Sequence, residues 1–528
     1  MARVSSLAIM LGAALALAPI CSVSAQAAAP PKPDAQATAV RRWREQHEEE
    51  IVRELNTLLA IPNNATDSAN IRRNAALLKT MLERRGLTVR ILENGPTPPV
   101  VFGELRVPGA TRTVMLYAHY DGQPVFRAEW SSSPWEPILR GAPKPDGSFG
   151  PTKAGPVNGR FDPEDRIYAR SASDDKAPIV AMLGALDAMR ATAQKATVNI
   201  KIFLEGEEEA GSPHLKAMLE RYKPLLAADV WFFGDGPVHQ SRQMQILFGV
   251  RGVMGLNATV YGPSRALHSG HYGNWAPNPG MLLNEMIASM RDANGKILID
   301  HFYDDVVAPT ASEVAAARAV PQVDAELRKS LLLGASEANN APLAERIMAP
   351  ALNLRGMRVG QVGALANNAI PTDAEASFDF RLVPDQTPLR IRALVEAHLT
   401  ARGWYVVHAA PTSDERLAHP RVVRLDWEGG YASYRTSMDQ PVGKAVRQVV
   451  SQTVGRDVIV LPTLGGSVGM IDFFDVMQVP LIVMPTVNHD NAQHAKDENL
   501  RLQNLWDAIE VFAGLMVKLG PAWSGVVP

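Results

Sequence analysis

The chain has 528 residues, more than one hydrophobic core usually holds, so two domains or one domain with a large insertion are expected. Hydrophobic residues make up 46% and charged residues 20%, a balance that excludes disorder over most of the length. A formal net charge of -2, with no basic run or basic-aromatic patch, excludes a nucleic-acid partner.

Arg3, the apolar run from Leu7 to Ile20 and the small residues of Ala25-Gln26-Ala27 read as a secretory signal over residues 1–27. That run is shorter than the roughly 20 residues that cross a bilayer, and no other uncharged segment reaches that length, so no membrane span is expected. Cys21, the single cysteine, follows Ile20 and not the small residue a lipoprotein signal needs. An exported chain without cysteine suits a bacterial periplasm. Residues 28–39 (AAPPKPDAQATA) read as a flexible leader.

Helical periodicity follows over Val40–Ile61 and Ile71–Leu87, and strand patterns over Thr88–Leu92, Val100–Leu105 and Thr113–Tyr117. A helix over Ala177–Met189 precedes an alternating apolar run (Val198, Ile200, Ile202, Leu204), and Asp229–Phe233 and Leu481–Met484 read as further strands. This alternation predicts a doubly wound α/β domain with a mixed sheet, whose sites lie where strands end. Between residues 249 and 410 the pattern changes. Strands over Leu256–Tyr261 and Ala376–Val383, a helix over Leu282–Met290 and a polar, alanine-rich stretch from Ser312 to Arg346 read as an inserted α+β domain. Residues 40–248 and 411–528 are then the two parts of the main domain, the second carrying a helix over Val442–Thr453 and a strand over Val458–Leu461.

Acids and histidines collect at the predicted strand ends. Glu207, Glu208 and Glu209 follow the alternating apolar run, and adjacent carboxylates persist most naturally where water or a cation takes up their field. His119 and Asp121, two apart at a strand end, leave on one face, where the acid can hold the tautomer of the imidazole. Asp174 and Asp175 precede a helix, Asp235 enters a Gly-flanked turn, and His489, Asp490 and His494 follow a strand. Singly, these read as a solvated acidic turn, an N-cap, an Asp turn and surface histidines. Together they match a two-metal centre, which needs a bridging carboxylate with oxygen and imidazole donors on each side.

YAHYDGQPV, SASDDKAP, LEGEEEAGS, the Asp235 turn, LHSGHYG and His494 resemble, in order, the motifs of the co-catalytic zinc peptidases that include carnosine dipeptidases and aminoacylases, metallopeptidase family twenty. LEGxEE before a small residue and Gly-Ser, with a long lid, is similar to the dipeptidase branch. The resemblance implies that His119 and Asp235 bind one metal ion, Glu209 and His494 bind the other, Asp174 bridges them and Asp121 orients His119. It implies Glu208 as the general base acting on a water between the ions. Glu205 and Glu207 match no catalytic position and read as solvated or structural acids. On the inserted domain, a lid and dimerisation unit by this resemblance, His268 implies an oxyanion donor to the partner subunit of a homodimer, Asn368 a substrate contact and Arg381 a substrate-carboxylate holder. Gly465, Gly466 and Ser467 resemble the turn beside that carboxylate. His271 and His489 take no family role. The implied enzyme is an exported di-metal peptidase of dipeptidase or carboxypeptidase type, acting on a dipeptide or short peptide near a free carboxylate. N-acyl amino acids are the alternative substrates. Two divalent ions per subunit are implied, zinc first, with manganese or cobalt as alternatives. The segment Ser131–Phe161 leaves the exact substrate open.

Overall fold

The computed structural model describes residues 34–526 apart from residues 145, 467 and 468, so the predicted signal, the first part of the leader and Ser467 lie outside the described residues. Asp34 accepts from the Ala37 amide at 2.9 Å and caps a 25-residue helix, Ala35–Leu59. The last five residues of the predicted leader are therefore helical, with Ala37 fully buried. Alanine is the strongest helix former, and the prolines stop at position 33, ahead of the cap.

An eight-stranded mixed sheet runs in the order 88–92, 100–105, 199–205, 113–119, 230–233, 481–483, 245–247, 459–461. Its central four strands, Asn199–Glu205, Thr113–His119, Val230–Phe233 and Leu481–Val483, are mutually parallel. Their near-continuous apolar sequences follow from burial on both faces. Leu116, Ile202 and Phe232 point to a layer built from helices Ala35–Leu59, Lys176–Ala191, Pro441–Val454 and Leu502–Ser524. Met115, Tyr117, Phe203, Trp231 and Phe233 point the other way, onto helices Leu215–Leu226 and Met470–Met477.

A second, five-stranded sheet with its own apolar core forms the lid, in the order 351–358, 373–382, 252–261, 422–431, 405–407. Its strand Asp373–Leu382 buries every second residue, as a sheet with one covered face requires. The strand Val422–Tyr431 pairs with Gly252–Tyr261 in this sheet, although residues from 411 onward read as part of the main domain. The chain crosses between the two sheets at Gly249–Val250 and Tyr434–Arg435, which pair with each other. The alanine-rich stretch holds short helices, among them Ala311–Ala319, whose Thr310–Glu313 capping box closes its first turn.

Candidate metal centre

The parallel strands deliver their C-terminal ends to one edge of the sheet, where open α/β folds place their sites. His119 ends one strand and is fully buried. Its Nε2 lies 3.0 Å from Asp174 Oδ1, and its Nδ1 lies 3.3 Å from Asp121 Oδ1. The other oxygen of Asp174, Oδ2, lies 3.0 Å from His494 Nε2, which in turn is 3.2 Å from Glu209 Oε2. Ligand atoms of His119, Asp174 and Glu209 all fall within 4.8 Å of one another. Asp235, two residues past its strand, lines with Asp174, Glu208 and His494 a cavity of about 220 Å³.

Local structure sets each of these side chains. Gly206 follows the strand carrying Glu205, and a Cβ there would lie 2.7 Å from the Tyr120 ring, so only glycine lets the acidic turn start so close to the strand bearing His119. The turn Glu208–Ala210 is tied down by Asp121, whose two oxygens accept from the amides of Glu208 (3.1 Å) and Glu209 (3.0 Å). One carboxylate thus positions both the imidazole of His119 and the turn. Gln123 donates to Glu209 Oε2 at 2.7 Å. Asp175 occupies the N-cap position of its helix but makes no capping bond with its side chain; instead it accepts from the His119 amide at 3.3 Å. Glu208 Oε2 stands 3.9 Å from His119 Nε2, facing the cavity.

Charge crowding is severe. Burial, and then the charge of Asp174, push Asp235 up to about 7. Burial, with Asp235, Glu209 and Glu205 behind it, raises Glu208 well above the carboxylate range against the pull of His119. Hydrogen bonds to Asp174 and Glu209 lift His494 to about 10. A divalent cation relieves the same repulsion without a proton, and oxygen and imidazole donors suit zinc, manganese or cobalt. Asp174 presents one oxygen to each of two imidazoles, the disposition a bridging carboxylate needs, so these residues fit a metal centre.

Glu205 and Glu207 are structural, and Glu205 is not solvated. Glu205 is buried, accepts from Tyr117 Oη at 2.8 Å and is pushed by burial to about 7; Glu207 accepts from the amide and ring of His214. Glu498, which carried no sequence signal, is fully buried behind Asp174. Its carboxylate accepts from the amides of Ser171, Ser173 and Asp174, from Ser173 Oγ and from Arg170, all at 2.7–3.0 Å. A run of three amides turned onto one acid could be foreseen only with the loop conformation in hand.

On the lid, His268 is exposed, accepts from the Gly270 amide at 3.0 Å and lies tilted against His271, with ring centroids 4.6 Å apart. Asn368 is exposed beside it: the short ladder pairs His268 with Ala369, and the Ser269 amide donates to Asn368 O at 2.9 Å. Arg381 donates to Asp379 at 3.1 Å. Its neighbour Arg251, also missed, donates twice to the Gly465 carbonyl, at 2.9 and 2.7 Å. Burial, and then the charge of Arg381, push Arg251 down to about 10. Gly466 lines the metal-centre cavity. The segment Ser131–Phe161 reaches the His494 loop, since the Ser131 amide and hydroxyl both donate to Asp497 at 2.9 Å.

A mixed α/β sheet bearing an acid and imidazole cluster at its parallel strand ends, with a second, separate sheet as lid domain, defines a metal-dependent hydrolase. Residues 115–518 match peptidase family M20/M25/M40, and the chain belongs to that family; it is a metallopeptidase. It is 26% identical over 423 residues to the Cys-Gly metallodipeptidase dug1 of Schizosaccharomyces pombe, covering 79% of this chain and 82% of that one. It is 24% identical over 511 residues to the human Beta-Ala-His dipeptidase, covering 93% and 94%. Among solved structures, an M20 family metallo-carboxypeptidase from Sulfolobus solfataricus superposes with a TM-score of 0.69 at 26% identity, covering 89% of this chain and 99% of that one. Human carnosine dipeptidase 1 shares the fold with a TM-score of 0.67 at 23% identity, covering 93% and 100%.

Proposed function

We propose that the protein is an exported dipeptidase holding two divalent ions, zinc by preference, and cleaving the peptide bond next to a free C-terminal carboxylate. The observation that carries this reading is Asp174, whose two oxygens face His119 and His494 separately. His119 and Asp235 would hold one ion and Glu209 and His494 the other. When bound, the ions supply positive charge that makes water acidic and polarises the carbonyl under attack. Glu208, facing the cavity and free of a structural partner in the turn, takes the proton from the attacking water and passes it to the leaving nitrogen. Arg381, with the Gly465–Gly466 turn that Arg251 braces, holds the carboxylate. His268, from the lid of a second subunit, donates to the developing oxyanion, and Asn368 contacts substrate beside it. The dipeptidase names of the relatives, covered over 82% and 94% of their lengths, support peptides over N-acyl amino acids.

The test is metal content per chain on protein recovered from a periplasmic fraction, together with turnover of dipeptides and N-acetyl amino acids before and after chelation. Two ions per chain and dipeptide cleavage lost with the metal are expected. Cleavage of N-acetyl amino acids alone would make it a deacylase, and protein without metal would return the cluster to a structural role.

A further inference from the structure

The metal-centre cavity does not end at its ligands. Pro237, Leu464 and Gly466 also line a second, adjoining cavity of about 360 Å³. Its floor comes from the main domain, with Val238, Leu461 and Leu464, and its roof from the alanine-rich segment of the lid, with Val320, Val323 and Leu343. Among the described residues lining it there is no lysine or arginine, and the acid, Asp324, is committed to the Leu343 amide at 2.9 Å.

The roof is anchored. Val320 belongs to the same apolar cluster as Tyr117 and Phe233 of the main sheet. Glu313 on the helix before it is buried and pairs with the half-buried Arg435 at 3.1 Å, and Arg318 pairs with Glu345 at 3.0 Å across the roof. Ile347 presses on the turn itself, since a Cβ at Gly465 would meet its Cγ2 at 3.2 Å. A pocket so held is formed before ligand arrives; most of its surface is apolar, with polar groups from His239, Gln240, Gln245, Gln322, Asp324 and His489 at its walls.

We propose that this cavity receives the side chain of the substrate residue that bears the free carboxylate, and that it selects bulky apolar or aromatic side chains there. The inference rests on the reading of Arg381 and the Gly465–Gly466 turn as the carboxylate site. In a bound dipeptide, the Cα of the last residue lies between the scissile nitrogen, at the metals, and the carboxylate, at that turn. The side chain leaves from this atom, and the cavity opening at the same turn is within its reach. An apolar cavity of about 150 Å³ already accepts benzene, so the volume suffices for a phenyl ring. An acidic side chain would lose its hydration against walls without lysine or arginine, and a lysine would meet only Asp324, whose Oδ1 already accepts from the Leu343 amide.

The experiment is kcat/KM for Ala-Xaa dipeptides with Xaa as Gly, Ala, Leu, Phe, Asp and Lys, and in parallel for the matching N-acetyl-Xaa series, on the metal-loaded enzyme. Leu and Phe are expected to exceed Gly by about ten- to a hundredfold, in keeping with what apolar pockets discriminate, and Asp and Lys to fall below Ala. Val323→Trp and Leu343→Trp, at roof positions that are not fully buried and so tolerate bulk, should each lower the Phe-to-Gly ratio at least tenfold. Equal use of Gly, Leu and Phe, or a ratio unmoved in both variants, would overturn the pocket. Cleavage of the N-acetyl series alone would overturn the peptidase reading instead, and the same Xaa order in that series would still support the pocket, because Xaa carries the carboxylate in both.

Discussion

Glu208 is the carboxylate of the acidic turn held most loosely, 3.9 Å from His119, whereas Glu207 holds His214, and Glu209 faces His494 and Gln123. A general base has to be spared in this way. Glu208→Gln keeps shape and the turn amides, so metal content should remain at wild type while kcat falls by about 10²–10⁴, the usual contribution of a positioned base. Retained turnover would remove it from that role. Glu498 makes the opposite case, a buried acid with every oxygen in use. Glu498→Gln turns one acceptor oxygen into an NH₂ group facing amide donors, and the loop that carries Asp174 has to shift. Metal affinity should drop about 10–100-fold, as for other groups that orient ligands, measured by titration of the folded protein with zinc. A role confined to stability would lower Tm and leave that titration unchanged. The proposed ligands were candidates in the sequence because His119, Glu209 and Asp235 stand close behind apolar runs, Asp174 stands just ahead of a helix and His494 lies in the loop after a strand. Glu498 was not, since its importance lies in which amides turn toward it.

At the scale of single elements, the turn Glu208–Ala210 depends on the strand end beside it. Asp121 accepts both turn amides with separate oxygens while standing 3.3 Å from His119. Asp121→Asn can accept only one of them and sets an NH₂ group against the other donor, an arrangement that leaves a buried donor unpaired. Both kcat and zinc affinity should fall together, whereas Glu208→Gln lowers kcat alone; a loss of kcat with unchanged affinity would show that Asp121 serves the base and not the ligands. Strands such as Thr88–Leu92, an edge strand with alternating exposure, and Val100–Leu105, a buried apolar run, match their sequence bounds, since both patterns are local. Val422–Tyr431 is a strand of the lid whose sequence, VVRLDWEGGY, alternates as any half-exposed strand does. Nothing local to it says which of two sheets it joins, because that choice is made by pairing with Gly252–Tyr261, far away in the chain.

At the scale of the whole molecule, the lid carries residues whose proposed targets belong to another copy. His268 and Asn368 share one exposed ribbon on the lid, while the candidate metal centre lies at the sheet edge of the main domain, with His119 and Asp174 buried and His494 exposed. In a two-fold dimer each lid would complete the partner's site, and the two sites would be equivalent by symmetry. Co-expression of His268→Ala and Glu208→Gln chains bearing different tags separates this from closure of a lid onto its own domain. A purified heterodimer would contain one site that has lost both groups and one that keeps Glu208 from the first chain and receives His268 from the second. Activity per dimer should then return to about half of wild type, although each variant alone is nearly inactive. If each lid serves its own domain, both sites of the heterodimer remain defective and no activity returns; if two-tag purification captures no heterodimer, the chain works without a partner and His268 has some other task.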